Sequence, residues 1–191
     1  LPVQSGSDRV LRAMNRNYTA GAYRDLVERM REQVPGLSLA TDWIVGFPGE
    51  TEEEFEESLS LLRELRFQQS YVFKYSVRPG TAAAALPDDV PEEEKRRRND
   101  ALLRAQDEIA LADHRARIGS VQEVLAEGPS PRDPSRLAGR TRDNRIAVFE
   151  GPPSLAGQLV PVRVTGATAR VLRGERVEAP AAVGLCRPEP R

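Results

Sequence analysis

Three short polar segments, each directly after an apolar run, carry the residues whose chemistry stands out in this chain. The first is Gln4-Ser5-Gly6-Ser7. The second is Asp42, inside the apolar run of residues 37–45, with Gly46-Phe47-Pro48-Gly49 at its end. The third is Tyr75-Ser76, followed by Arg78-Pro79-Gly80-Thr81. A carboxylate in the middle of an apolar strand is costly unless it is paired or meets a ligand. Asp42 is therefore the most informative single residue, with either a structural partner or a ligand contact. Together these groups suit a small ligand with hydroxyl, amino and carboxylate functions. Hydrolytic machinery finds no support: His114 is the only histidine, and no glycine-rich phosphate loop of the Walker type occurs. The single cysteine, Cys186, cannot form an internal disulfide or a cysteine-only metal site. It reads as incidental, and His114, in a charged helical stretch, reads as solvated.

Alternating strand-like and helix-like patterns must position these segments. Residues 1–3 read as a strand end, leading through a polar turn into a short helical piece over 9–14. Thr19 is placed to cap a helix with Tyr23, Leu26, Val27, Met30 and Val34 on one face, and Pro35-Gly36 stops it. Residues 37–45 read as a buried parallel strand. In it Thr41, Trp43 and Val45 face outward toward helices, and Asp42 points to the opposite side. Thr51 and Glu54 have capping-box spacing, and the acidic run 50–57 suits a helix N-terminus better than a metal. Phe55, Leu59, Leu62 and Leu65 make that helix's buried stripe. Residues 71–76 read as a third strand. A long helix then runs from Pro91 to about residue 117, with Leu102, Ala105, Ile109 and Ala112 on its apolar side. This β-α-β-α-β-α order predicts parallel strands with crossover helices, as in half of a β/α barrel or of a doubly wound sheet. In such folds function gathers at the C-terminal ends of the strands.

The texture changes at Gly119. Short strands are predicted over 121–127, 137–141, 146–149, 159–165 and 169–172, with 129–135 as a turn-rich connector. The expectation is a small antiparallel β-barrel over residues 118–176, with a disordered tail over 177–191. The chain has 191 residues, 39% of them hydrophobic, and a net charge of −1. That charge gives no global pull toward nucleic acid. Locally, residues 1–117 hold 17 basic and 21 acidic side chains, and residues 118–175 hold 8 and 6. Lys74 and Lys95 are the only lysines among 28 basic residues. Arg140, Arg142, Asn144 and Arg145 cluster around one turn, with Phe149 near. Arg163 opposes Val160, Val162 and Val164 on its strand. The cluster suits phosphates and bases, and a solvated hairpin end would look the same. No run of about 18 apolar residues is present, and no signal peptide pattern precedes the first element; the expectation is a soluble cytoplasmic protein. The chain opens at Leu1, inside an apolar stretch, which predicts a missing upstream segment.

Four motifs in order carry a family resemblance. LPVQSGSDRVLRAMNR, TDWIVGFPGETEEEF and YSVRPGT resemble successive segments of the radical S-adenosylmethionine methylthiotransferases. GRTRDNRIAVFEG with GQLVPVRVTGATARVLRG is similar to their TRAM domain, an RNA-binding small barrel. YSVRPGT and NRIAVFEG look more like the tRNA-modifying branch. The branch that modifies a small-subunit ribosomal protein usually has acidic residues where Arg78-Pro79 stand. The resemblance implies that residues 1–117 are the C-terminal part of a six-unit radical S-adenosylmethionine barrel. It implies reductive cleavage of S-adenosylmethionine by a [4Fe-4S] cluster, and radical activation of an isopentenylated adenosine beside the anticodon. A second [4Fe-4S] cluster would carry the sulfur, and another S-adenosylmethionine would supply the methyl group.

By the same resemblance Gln4 and Asp42 contact the cofactor's ribose or methionine part, Arg16 binds its carboxylate, and Ser5 and Gly46 complete the rim. Arg140, Arg142, Asn144, Arg145 and Arg163 are the RNA-binding candidates, and the tRNA anticodon stem-loop is the partner. A reductant and a sulfur donor are implied for the full enzyme. The family's cluster cysteines have no counterpart here, which predicts no catalytic or metal-ligating residue in this chain and no activity alone. The ribosomal-protein branch and a stand-alone RNA-binding protein are the alternatives.

Overall fold

A computed structural model describes residues 1–177. They form two compact units, residues 1–112 and 113 onward. The division falls inside the last turns of the long helix, slightly before the boundary expected at residue 117. Cys186 and the expected tail beyond Val177 lie outside the described residues.

The first unit holds helices α1 (Asp8–Ala13), α2 (Ala20–Gln33) and α3 (Glu52–Leu65), strands β1 (Ala40–Val45) and β2 (Gln69–Lys74), and most of helix α4 (Glu92–Ala116). β1 and β2 pair in parallel, with Asp42 opposite Tyr71 and Ile44 opposite Phe73. The expected strand at residues 1–3 reduces to one parallel bridge, Gln4 to Trp43. β1 starts later than expected, and β2 lies earlier. The alternation along β1 is as expected: Thr41, Trp43 and Val45 are buried, while Asp42 and Ile44 on the other face are only partly covered.

Helices cover the buried face. Trp43 is fully buried edge-on to Phe67, with ring centroids 6.1 Å apart. Its indole N–H donates to Ser70 Oγ at 3.3 Å, and that hydroxyl donates to Gln106 Oε1 at 2.6 Å. Gln106 Nε2 in turn donates to the Phe67 carbonyl at 3.0 Å. The polar tip of the largest core residue is thus satisfied by a relay reaching α4, as buried polar groups require. Phe55, Leu59, Leu62 and Leu65 form the buried stripe of α3, and Leu102, Ala105 and Ile109 that of α4. Val34, expected on the buried face of α2, is the exposed C-cap instead. The helix stops one residue short of it.

The second unit is a closed barrel in the order β3-β4-β5-β7-β6. Its strands are β3 (Val121–Ser130), β4 (Asp133–Thr141), β5 (Ile146–Phe149), β6 (Leu159–Ala167) and β7 (Leu172–Arg176). Apolar side chains from all five strands fill it, among them Val124, Leu137, Phe149, Val160, Val162, Val164 and Leu172. Two expectations are corrected. The connector at 129–135 belongs mostly to β3 and β4, which accept Pro129 and Pro134 because the β3–β4 register is irregular there. The last strand is Leu172–Arg176, not 169–172, and it pairs in parallel with β5, so the barrel is not wholly antiparallel.

α1 is tied to α3 through one carboxylate. Glu54 completes the expected capping box, accepting from the Thr51 amide at 2.9 Å while the Thr51 hydroxyl accepts from the Glu54 amide. Arg9 clasps the same carboxylate with Nε and Nη2, and also donates to the Gly49 carbonyl at 2.6 Å. The Arg9 guanidinium holds the Glu54 carboxyl down to about 2. A carboxyl depressed in the fold contributes stability above its unfolded pKa and loses it as pH falls through the folded one. Glu54→Gln should therefore lower stability by about 1 kcal/mol at neutral pH. The gap to wild type should close as pH falls from about 4.3 toward 2. Denaturant titrations across that range check this, and a gap independent of pH would show that the charge contributes nothing.

Candidate functional site

A cavity of about 500 Å³ opens at the C-terminal ends of β1 and β2. Gln4, Arg16 and Asp42 all line it, together with Lys74, Tyr75 and Arg78. The polar segments singled out in the sequence, far apart along the chain, meet here.

Local structure explains each placement. Gln4 has φ 70°, a left-handed conformation unusual for a residue with a side chain. Two backbone bonds hold it there: its amide donates to the Asp42 carbonyl and its carbonyl accepts from the Ile44 amide, each at 2.9 Å. Strain of this kind concentrates at functional sites. Asp42 is half-buried, and its carboxylate has no hydrogen-bond or ion-pair partner among the described residues. Arg16 follows α1 through a Schellman ending. Asn15 takes φ 57°, its amide donates to the Arg12 carbonyl, and the Arg16 amide donates back to the Leu11 carbonyl. An Asn directly after a helical run is the sequence signal for this stop, and hydrophobic periodicity alone does not show it.

Ser5 and Gly46, expected at the rim, are not among the lining residues. Ser5 is fully buried between α1 and α3, its hydroxyl 3.3 Å from Ser58 Oγ and accepting from the Ser7 amide. Gly46 has φ 69°, and a Cβ there would lie 2.3 Å from Lys95 Cγ. Its role is close approach: it lets the buried Lys95 of α4 cross the end of β1. Lys95 reaches Asp88 at 2.5 Å and stands 5.4 Å from the centre of the Tyr75 ring. Tyr75 packs edge-on against Phe47 at 5.2 Å and donates to the Ala83 carbonyl at 3.1 Å. Below this wall Glu50 accepts from the Gly46 amide at 2.6 Å and from Arg98 Nη1 at 2.9 Å. Burial pushes its carboxyl pKa up against those bonds. Residue patterning does not reveal the Lys95–Tyr75 wall, because nothing local links an early α4 residue to the end of β1.

The arginine cluster of the barrel divides. Arg145 is buried and fully engaged: it donates to Asp113 Oδ2 from Nε at 3.0 Å and Nη2 at 2.7 Å, and it pairs with Asp143. Arg117 joins them, 2.9 Å from Asp143. Burial raises the Asp143 pKa, but the Thr141 hydroxyl and both arginines outweigh it, so the net shift is down. Arg145 is thus a structural anchor and not an RNA-facing residue, since a guanidinium spent on two carboxylates offers no fork to a phosphate. His114 is corrected as well: it is buried, with Nδ1 2.7 Å from the Thr168 carbonyl. The Arg142 side chain is 82% exposed and, among the described residues, pairs with Glu123, while Arg140, Asn144 and Arg163 remain at the surface. Arg145→Met should lower barrel stability by about 2 kcal/mol, because Asp113 and Asp143 lose their buried arginine and keep only the more exposed Arg117. Arg142→Gln should stay within about 0.5 kcal/mol of wild type. Thermal unfolding of both variants checks the assignment; equal stabilities would return Arg145 to the surface set.

Known proteins match both units. Residues 1–62 match the Radical SAM superfamily model, and residues 115–177 match the TRAM domain model. A tRNA-2-methylthio-N(6)-dimethylallyladenosine synthase of Moorella thermoacetica is 48% identical over 93% of this chain and 40% of its own length. Proteins of the same name from Neisseria gonorrhoeae and Actinobacillus pleuropneumoniae are 49% and 45% identical over 94% and 97% of this chain. The chain spans about 40% of the length of the curated relatives it matches. Residues 1–62 are thus similar to the radical SAM superfamily, residues 115–177 to the TRAM domain, and the chain as a whole to part of the tRNA-2-methylthio-N(6)-dimethylallyladenosine synthases.

Proposed function

We propose that this chain supplies a cofactor-facing cavity and the RNA-binding domain of a tRNA methylthiotransferase. The enzyme would add a methylthio group to an N6-dimethylallyl adenosine of tRNA in the anticodon stem-loop. The observation that carries this is the convergence of Gln4, Arg16 and Asp42 on one cavity. S-adenosylmethionine fits what lines it. The Arg16 fork suits the methionyl carboxylate. Asp42, unpaired among the described residues, suits the ammonium or the ribose hydroxyls, Gln4 adds amide donors and acceptors, and Phe47 and Tyr75 give an apolar wall. Bound there, the cofactor would supply the methyl group and the radical chemistry of its superfamily. These side chains would orient it and exclude water from one side.

An iron–sulfur cluster does not fit this chain. Cys186 is its only cysteine, and no group of three potential ligands stands together among the described residues. Thiolates are what hold such clusters, so in this reading the clusters belong to the part of the relatives that the chain does not match. The reductant and the sulfur donor act there too, in the cytoplasm. In the barrel, Arg140, Arg142 and Arg163 would meet phosphates, the contacts that position an RNA without reading its sequence.

A chimera tests this reading. The part of the Moorella thermoacetica relative that this chain does not match is joined to this chain and reconstituted with clusters. The expected result is the 2-methylthio nucleoside in digests of tRNA, detected by mass spectrometry. Arg16→Ala should weaken S-adenosylmethionine binding roughly tenfold, as loss of a charge-assisted pair would. A folded chimera that binds cofactor and tRNA but forms no product would sink the assignment.

A further inference from the structure

We infer that the mouth of this cavity holds a second anion site, for a phosphodiester of the RNA strand, with Arg78 as its ligand; the inference rests on the RNA-modifying reading above. The charges that line the cavity motivate it. Arg16, Lys74 and Arg78 stand against one carboxylate, Asp42. The proposed cofactor presents a single carboxylate, which one guanidinium answers. Lys74 is already paired with Glu92. Arg78 has no ion-pair partner among the described residues, so its fork is available.

Arg78 is also firmly mounted. The Thr81 amide and the Thr81 hydroxyl both donate to its carbonyl, at 3.3 and 2.8 Å. Pro79 fixes the first corner of the turn, and Gly80, at φ 82°, supplies the second. A guanidinium on such a turn loses little backbone freedom when it binds.

The neighbouring surface suits a nucleotide. Phe73 also lines the cavity, beside Ile44 across the β1–β2 pair. Single-stranded nucleic acid binds through this pairing of an aromatic face for a base with a cation for its phosphate. An unstacked adenosine lying on Phe73 would place its phosphate toward the Arg78 turn, while Arg16 and Asp42 stay with the cofactor.

The test uses the full chain and a short single-stranded RNA with one adenosine in a uridine run. A second RNA carries a neutral methylphosphonate on the 5′ side of that adenosine. Binding is measured by fluorescence anisotropy over a salt series. Arg78→Gln should weaken binding about fivefold at low salt and lower the slope of log affinity against log salt by about 0.7, the share of one single-strand phosphate. The methylphosphonate should do the same to wild type and nothing further to Arg78→Gln. If Arg78→Gln matches wild type in affinity and slope while Arg142→Gln weakens binding, RNA contacts the barrel alone and the second anion site is overturned. If wild type binds neither RNA, the RNA-modifying reading falls with it.

Discussion

One buried carboxylate sets the geometry of the first unit. The Glu50 side chain is 1% exposed, and it joins the amide of Gly46 at the end of β1 to Arg98 on α4. Arg98 donates as well to the Glu50 carbonyl, at 3.0 Å. Such a pair adds little net stability, because desolvation opposes the attraction. Burial raises the Glu50 pKa despite the bonds donated to it, and its Oε1 has no partner among the described residues. Its importance is geometric. Removing either partner would leave a buried charge, so the turn after β1 and the start of α4 are held in a single arrangement.

The cavity inherits that arrangement. With the turn fixed, Gly46 presents a bare backbone, Lys95 crosses it, and the Tyr75 ring is set between Lys95 and Phe47. The two lysines in an otherwise arginine chain both serve this corner. A slim alkyl stem passes where no Cβ fits, and a broader guanidinium would need more room. The barrel shows the opposite use of a cation. Arg145 spans two carboxylates because its planar fork can accept both, and this fixes the β4–β5 turn against the last turn of α4. Arginine at a surface turn therefore has two fates that composition does not separate.

Much of the architecture was legible because it is local. The capping box at Thr51 and Glu54, the Thr19 cap, the stripe of α3 and the alternation along β1 need only helix and strand periodicity. Asp42 was visible as a cavity residue because a carboxylate among Thr41, Trp43 and Val45 has only one face left to occupy. The misplaced strands share one cause. β7 carries charge at most positions and buries only Leu172, so its pairing with β5 and β6 is long-range information. Pro129 and Pro134 read as a loop because the tolerance for proline came from a β-bulge in the partner's register.

By itself, the sequence determined the order of elements, the two-part organisation, the family motifs and the parity that turns Asp42 away from the helices. Those depend on spacing along the chain. The tertiary structure alone decided which charges are free. Ser5, Arg145 and His114 are enclosed by residues 53, 32 and 54 positions away, respectively. Arg16 and Arg78 instead reach one cavity from different loops. Whether a charged side chain meets a partner or solvent is set by packing between distant segments, and spacing along a sequence carries no record of it.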